Sequence, residues 1–154
     1  MKTHILCLGD SNTHGYCADP NDCADHGIRF SEEERWTCRL QKALGDEYLV
    51  TEEGLSGRTT AGMERLILKA KSVDCWGTKQ PNILVVAPPP IGAGFHDAVM
   101  GDGCVEKSAG VAGQLRIICE RQGVHFLDAK DCEFNKVDFF NLTRKGHAQL
   151  AELL

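Results

Sequence analysis

No stretch of this chain approaches the ~18 consecutive apolar residues that a membrane-spanning helix needs, so no membrane partner is expected. The N-terminus carries one lysine and only a few apolar residues before Gly9-Asp10, which is too little for a secretory leader. With neither feature, the expected location is the cytoplasm. Zinc-type spacing is missing as well. Eight cysteines stand at 7, 17, 23, 38, 75, 104, 119 and 132, never as C-x-x-C and with no H-x₃₋₅-H beside them. His4, His26, His96 and His125 show no ligand spacing either. No metal is therefore expected, and the cysteines read as small buried hydrophobes. An excess of positive charge is also lacking. The net charge of −5 argues against a nucleic-acid partner, because phosphate binding wants a basic surface. Repeats, linkers and low-complexity tracts are absent, so residues 1–154 are expected to form one domain, long enough for a core.

What is present alternates. Thr3 to Leu8 reads as a first strand. Tyr16 to Arg29, with Pro20, Gly27 and several Asp and Asn residues, has loop composition. Ser31-Glu32-Glu33-Glu34 fits a capping box, so the acidic trio is expected to start a helix rather than form a binding patch. That helix carries Trp36, Leu40 and Ala43-Leu44 and stops at Gly45. Tyr48 to Thr51 is a second strand, followed by a glycine-containing turn, Glu52 to Thr60. Met63, Leu66-Ile67 and Ala70 form a helical stripe. Asn82 to Ala87 is the best buried strand, ended by Pro88-Pro89-Pro90. Ile91 to Gly103 is loop, Val105 to Gln122 a helix, and Val124 to Leu127 the last strand. Thr143 caps a final helix in which Leu150, Leu153 and Leu154 pack. Strands alternating with helices imply an α/β fold with a mostly parallel sheet, whose ligands gather at the carboxyl ends of the strands. Gly9-Asp10-Ser11, Gly54 to Thr60 and Pro88 to Pro90 all follow strands and are expected to share that edge.

The first of these turns, Gly9-Asp10-Ser11-Asn12-Thr13-His14-Gly15, breaks abruptly from an apolar run. It lacks the lysine of a P-loop and the second glycine of a dinucleotide loop. It also lacks the closing glycine of the α/β-hydrolase elbow. A serine there has its hydroxyl above the sheet edge, with turn N–H groups close enough to bind an anion. Serine attacks an acyl carbon only when a base takes its proton and donors hold the oxyanion.

Gly9-Asp10-Ser11 directly after the first strand resembles block I of the SGNH/GDSL hydrolases, a family of serine esterases and acyl hydrolases. Leu55-Ser56-Gly57-Arg58-Thr59-Thr60 is similar to block II. Val85-Val86-Ala87-Pro88-Pro89-Pro90-Ile91 looks like the arylesterase-type branch, and Val137 to His147, with its Thr-x-x-Gly-His continuation, looks like block V. The resemblance spans nearly the whole chain. It implies a three-layer α/β/α, flavodoxin-like fold and an acyl-enzyme on Ser11. The Ser11 and Gly57 N–H groups would serve as oxyanion donors, Asp138 as the orienting acid, and a small-molecule ester as substrate, with no cofactor. Two departures stand out. The base position of D-x-x-H holds Asn141, whose amide cannot accept a proton at neutral pH. Block III, a middle strand ending in Gly-x-Asn-Asp, is not found between Thr60 and Pro81. Relatives place tens of residues where Thr60 and Ala61 abut, so either a strand-bearing segment is missing from this sequence, the preferred reading, or the domain recloses by pairing strand one directly with Asn82 to Ala87.

Plainer readings stand beside these. Ser11 could be only a helix cap, Gly57 a turn glycine, and Asp138 a turn acid. His147, four residues into the last helix, is expected to be a surface or packed histidine rather than catalytic, and His14 is given no role. Two functional classes follow: a serine esterase for small acyl, aryl or acetyl esters, and a catalytically impaired relative that binds a small ligand. A flavodoxin-like binding module is a third. A homo-oligomer is left open.

Overall fold

Thr3–Gly9 (β1) is a seven-residue strand whose side chains alternate, Ile5 and Cys7 turned inward and Leu6 and Leu8 outward. It runs in a computed structural model that describes residues 2–24, 27–54, 62–72, 76, 81–97 and 103–154. β1 pairs in parallel with Tyr48–Gly54 (β2), in the register Thr3↔Tyr48 through Gly9↔Gly54. Between them lie the short helix Ser11–His14 (α1) and the helix Trp36–Leu44 (α2), the connection that parallel pairing requires. Gly45, at φ 72°, closes α2 as the sequence predicts.

The chain forms two compact units. The first comprises Met1–Arg58, Gly92–His96 and Asp131–Leu154. In it α2 packs on β2 and on the last helix, Arg144–Leu153, which is named α6 in chain order. Cys7, Cys17, Phe30, Trp36, Cys132, Leu142 and Leu150 form its buried apolar set. Thr143 caps α6 as predicted, its Oγ1 accepting the Gly146 N–H at 3.0 Å.

The second unit comprises Thr59–Ile91 and Asp97–Lys130. Its elements are Met63–Ser72 (α3), Leu84–Ala87 (β3), Cys104–Ala109 (α4), Val111–Gln122 (α5) and His125–Asp128 (β4). β3 and β4 pair in parallel around a core of Ile67, Val85, Ala87, Leu115 and Cys119. Gly123, at φ 60°, ends α5 and lets the chain turn back into β4.

Several boundaries differ from the sequence reading. β2 continues through Glu52, Glu53 and Gly54, because the Glu52 carboxylate turns inward to meet Arg29 and Arg35. Ser31 to Glu34 is a turn rather than a first helical turn: Glu34 does reach back to the Ser31 N–H at 3.1 Å, but the helix starts at Trp36. The predicted helix from 105 to 122 is two, divided at Gly110. Cys7, Cys17, Cys119 and Cys132 are buried and free, and burial pushes the Cys7 thiol up to about 11. Cys75 and His26 lie outside the described residues. Among the described residues no helix is long and apolar enough to cross a membrane.

Candidate active site

The turn that carries Ser11 is built by Asp10. Its extended backbone (φ −96°, ψ −151°) ends β1, and its Oδ1 accepts the Asn12 N–H at 2.9 Å. Asp10 is therefore the cap, and Ser11 the first helical residue; the reading of Ser11 as a mere cap does not hold. His14 N–H donates to Asp10 O at 2.9 Å, and Gly15, at φ 80°, closes the turn by donating to Asn12 O and Ser11 O. Ser11 is half-buried, and among the described residues its hydroxyl makes no hydrogen bond. Gly54, paired with Gly9, lies against this turn so closely that a Cβ there would sit 2.0 Å from the His14 nitrogen. The ends of β1 and β2 thus meet as topology requires, with the Ser11 turn between them.

A charged network supports the turn from behind. The Glu52 carboxylate accepts from Arg29 and from the Thr37 hydroxyl, and lies 3.4 Å from Arg35 Nε. Arg29 also donates to the His14 carbonyl, and Arg35 Nη1 to Phe30 O at 2.9 Å. Burial first, and then Arg29 and Arg35, hold the His14 imidazole below its ordinary pKa.

The second half of the site is the turn from Asn135 to Asn141. Asn135 fastens both ends: its Oδ1 accepts the Val137 and Asp138 N–H groups at 2.9 Å, and its backbone and side-chain N–H groups donate to Asn141 O at 2.9 and 2.8 Å. Phe139, at φ 62°, stands at the top in the left-handed region that a bulky residue rarely adopts. Its carbonyl accepts the Gly92 N–H at 2.8 Å. Asp138 Oδ1 accepts the Phe140 and Asn141 N–H groups at 3.1 Å, while Asp138 Oδ2 accepts from Asn141 Nδ2 at 2.6 Å. A carboxylate can only accept, which fixes Nδ2 as the amide atom that faces it. Asn141 is 1% exposed, and its Oδ1 is enclosed without a hydrogen-bond partner.

The sequence-predicted residues thus fall into two turns. Asp138 and Asn141 are in direct contact; Ser11 stands on the other turn, and no hydrogen bond joins it to Asn141. What joins the turns is Asn12, whose Oδ1 accepts the Leu142 N–H at 2.8 Å. The sequence reading missed this residue, and also Glu52, Arg29 and Arg35. The only signal available was a polar residue directly after Ser11 in a turn bound for burial. Gly57 lies outside the described residues, as do Thr60 and Ala61. Of the surface and packed alternatives for His147, the packed one is found: it is 0% exposed, its Nδ1 accepts the Trp36 N–H at 3.4 Å, and Phe30 meets it edge-on at 5.1 Å. Among the described residues no cluster of His, Cys, Asp and Glu could hold a metal ion.

No protein-family model matches the chain, and no curated protein sequence does. Solved structures do. A carbohydrate acetylesterase family member from Sinorhizobium meliloti superimposes with a TM-score of 0.84 at 26% identity, over all of this chain and 95% of that one. The native M. smegmatis aryl esterase gives 0.79 at 26%, covering 99% of this chain and 100% of that one. A member of the lipolytic G-D-S-L family from Veillonella parvula shares the fold at 14% identity, with a TM-score of 0.61 over 97% of this chain and 94% of that one. These neighbours give the chain its class: it is related to the SGNH/GDSL hydrolases and has their three-layer α/β/α fold.

Proposed function

We propose that this SGNH/GDSL-related chain is a serine hydrolase for small acyl, aryl or acetyl esters, working through an acyl-enzyme on Ser11, and that Asn141 holds its turnover low. In this reading the chain from 1 to 154 acts as one domain in the cytoplasm, without cofactor or metal. Ser11 would attack the ester carbonyl. The Ser11 and Gly57 N–H groups would hold the oxyanion. Asp138 would orient the residue at 141, as an acid orients the base of a serine hydrolase.

The observation that carries the proposal is the Asp138–Asn141 pair. At 2.6 Å it reproduces the acid-to-base hydrogen bond of a hydrolytic site, with an amide where an imidazole would stand. An amide keeps the geometry and the hydrogen bond but cannot take the serine proton. Binding and the oxyanion site alone leave ~10³–10⁴-fold acceleration over water in a protease stripped of its triad. Slow turnover of this size is therefore expected.

One observation favours a second reading, in which the site binds a small ligand and does not hydrolyse it. An enclosed carbonyl oxygen without a partner costs about 1–3 kcal/mol, and Asn141 Oδ1 is such an atom. A ligand N–H or O–H would satisfy it once the turn opens to admit the ligand. The deciding experiment pairs hydrolysis of a nitrophenyl acetate with labelling by a serine-reactive phosphonate. Turnover together with an adduct at Ser11, both lost in Ser11→Ala, supports the hydrolase. An adduct on another serine, with Ser11 untouched, sinks it.

A further inference from the structure

We infer that Asn12 is the positioning residue of this site: by accepting the Leu142 N–H, its side chain holds the Asp138–Asn141 turn in register with Ser11. The consequence for rate rests on the serine-hydrolase reading above, whereas the register itself does not.

The argument starts from the free N–H. Phe134 and Leu142 face each other across an isolated antiparallel bridge. The hydrogen bonds flanking that bridge run from Asn135 N to Asn141 O and from Thr143 N to Glu133 O. Leu142 thus occupies a non-hydrogen-bonded position, and its N–H points away from Phe134. Leu142 is 1% exposed, so water cannot take that N–H, and a buried N–H left unpaired is costly. Asn12 Oδ1 takes it at 2.8 Å, across 130 residues of sequence.

The other end of the link is equally fixed. The Asn12 N–H is held by Asp10 Oδ1, the Asn12 carbonyl accepts from Gly15, and the residue is 8% exposed. Only two side-chain torsions separate this anchored backbone from the bond to Leu142. Ser11 precedes Asn12 and Asn141 precedes Leu142, so the link joins the immediate neighbours of the two residues that would have to cooperate. An apolar residue at 12 would fill the space but leave the Leu142 N–H orphaned, and the two turns would be free to shift. A displacement of about 1 Å between reacting groups can cost ~10²-fold in rate.

The test uses Asn12→Ala, with folding checked by circular dichroism. If that variant melts, Asn12→Ser, whose side chain is too short to span the gap, replaces it. Asn12→Asp keeps the acceptor and serves as the rescue. Amide exchange of Leu142 is followed by NMR, alongside nitrophenyl acetate hydrolysis and phosphonate labelling of Ser11. Loss of Leu142 protection in Ala, with kcat and labelling rate down about 10–100-fold and KM within about twofold, supports the proposal, as does recovery in Asp. Unchanged Leu142 protection in Ala overturns it. Lost protection with unaltered kcat and labelling also overturns the positioning role. If the unsubstituted chain neither turns over ester nor labels at Ser11, the hydrolase reading fails; Leu142 exchange then decides the register by itself, faster exchange in Ala upholding it and equal exchange overturning it.

Discussion

In the proposed hydrolase reading, Asn141 is the residue on which activity would turn. Loss of the serine or histidine of a protease triad costs ~10⁶ in turnover, and Asn141 keeps the contact to Asp138 that such a histidine would make but cannot accept a proton. Asn141→His should therefore raise ester hydrolysis by several orders of magnitude, with Asp138 intact. Steady-state kinetics checks this, and no gain would mean that another residue is the base or that the site is incomplete. His147 carries a different prediction, one of stability. Burial first, and then Arg39 and Arg35, push its imidazole down to about 4. The unfolded chain binds a proton there near pH 6.5. Because the folded pKa lies below the unfolded one, the stability from this group is fully present above pH 6.5 and is lost as the pH falls toward 4. The loss is about 1.4 kcal/mol per unit, or about 2 kcal/mol by pH 5. Denaturation midpoints at pH 7.5 and 5 should show that difference, and His147→Gln should remove it; an equal drop in the variant would assign the effect elsewhere.

Among the elements, the junction of β1, β2 and α1 holds one of the tightest backbone contacts near the site. Gly54 faces the backbone of Thr13 and His14, and a Cβ there would lie 2.0 Å from His14 N and 2.6 Å from the Thr13 carbonyl carbon. Backbone cannot step aside as a side chain can. Gly54→Ala should cost about 2–3 kcal/mol of stability and slow phosphonate labelling of Ser11, read by denaturant titration and mass spectrometry; wild-type stability would mean that β2 and α1 are more loosely joined. This junction also marks what the sequence could tell. The strands, the glycine stops at Gly45 and Gly123 and the Thr143 cap were legible, because each depends on residues within a turn of one another. So was the pairing of Asp138 with residue 141, a contact three residues long. The extension of β2 was hidden because Glu52 and Glu53 look like turn residues until Arg29 and Arg35 are seen to neutralise Glu52. The Asn12–Leu142 link was hidden for the same reason: choosing a partner 130 residues away is a decision of tertiary packing, and no local pattern announces it.

At the scale of the whole molecule, the sheet poses the remaining question. β1 pairs with β2 in one unit and β3 with β4 in the other, each pair forming a two-stranded sheet among the described residues. Leu6 and Leu8 on the outward face of β1 are 53% and 45% exposed, and Leu84 on β3 is 46% exposed. Central strands of a doubly wound sheet are covered on both faces and paired on both edges. Strands left with an open edge and bare leucines are a liability that proteins normally suppress. The sequence has the matching gap: no strand bearing block III is found between Thr60 and Pro81. Both observations are met if the protein made in its native cell carries a further segment between Thr60 and Ala61, which supplies the middle strand and its asparagine. The expected intact mass is then well above 16.9 kDa. Trypsin gives the sharper check, because cleavage after Arg58 and Arg65 releases Thr59–Arg65 as one short peptide only if Thr60 and Ala61 are joined. That peptide should be absent from a digest of the native protein. Its recovery, together with a mass of 16.9 kDa, would show that the chain folds without the strand, and β1 would then have to satisfy its second edge in some other way.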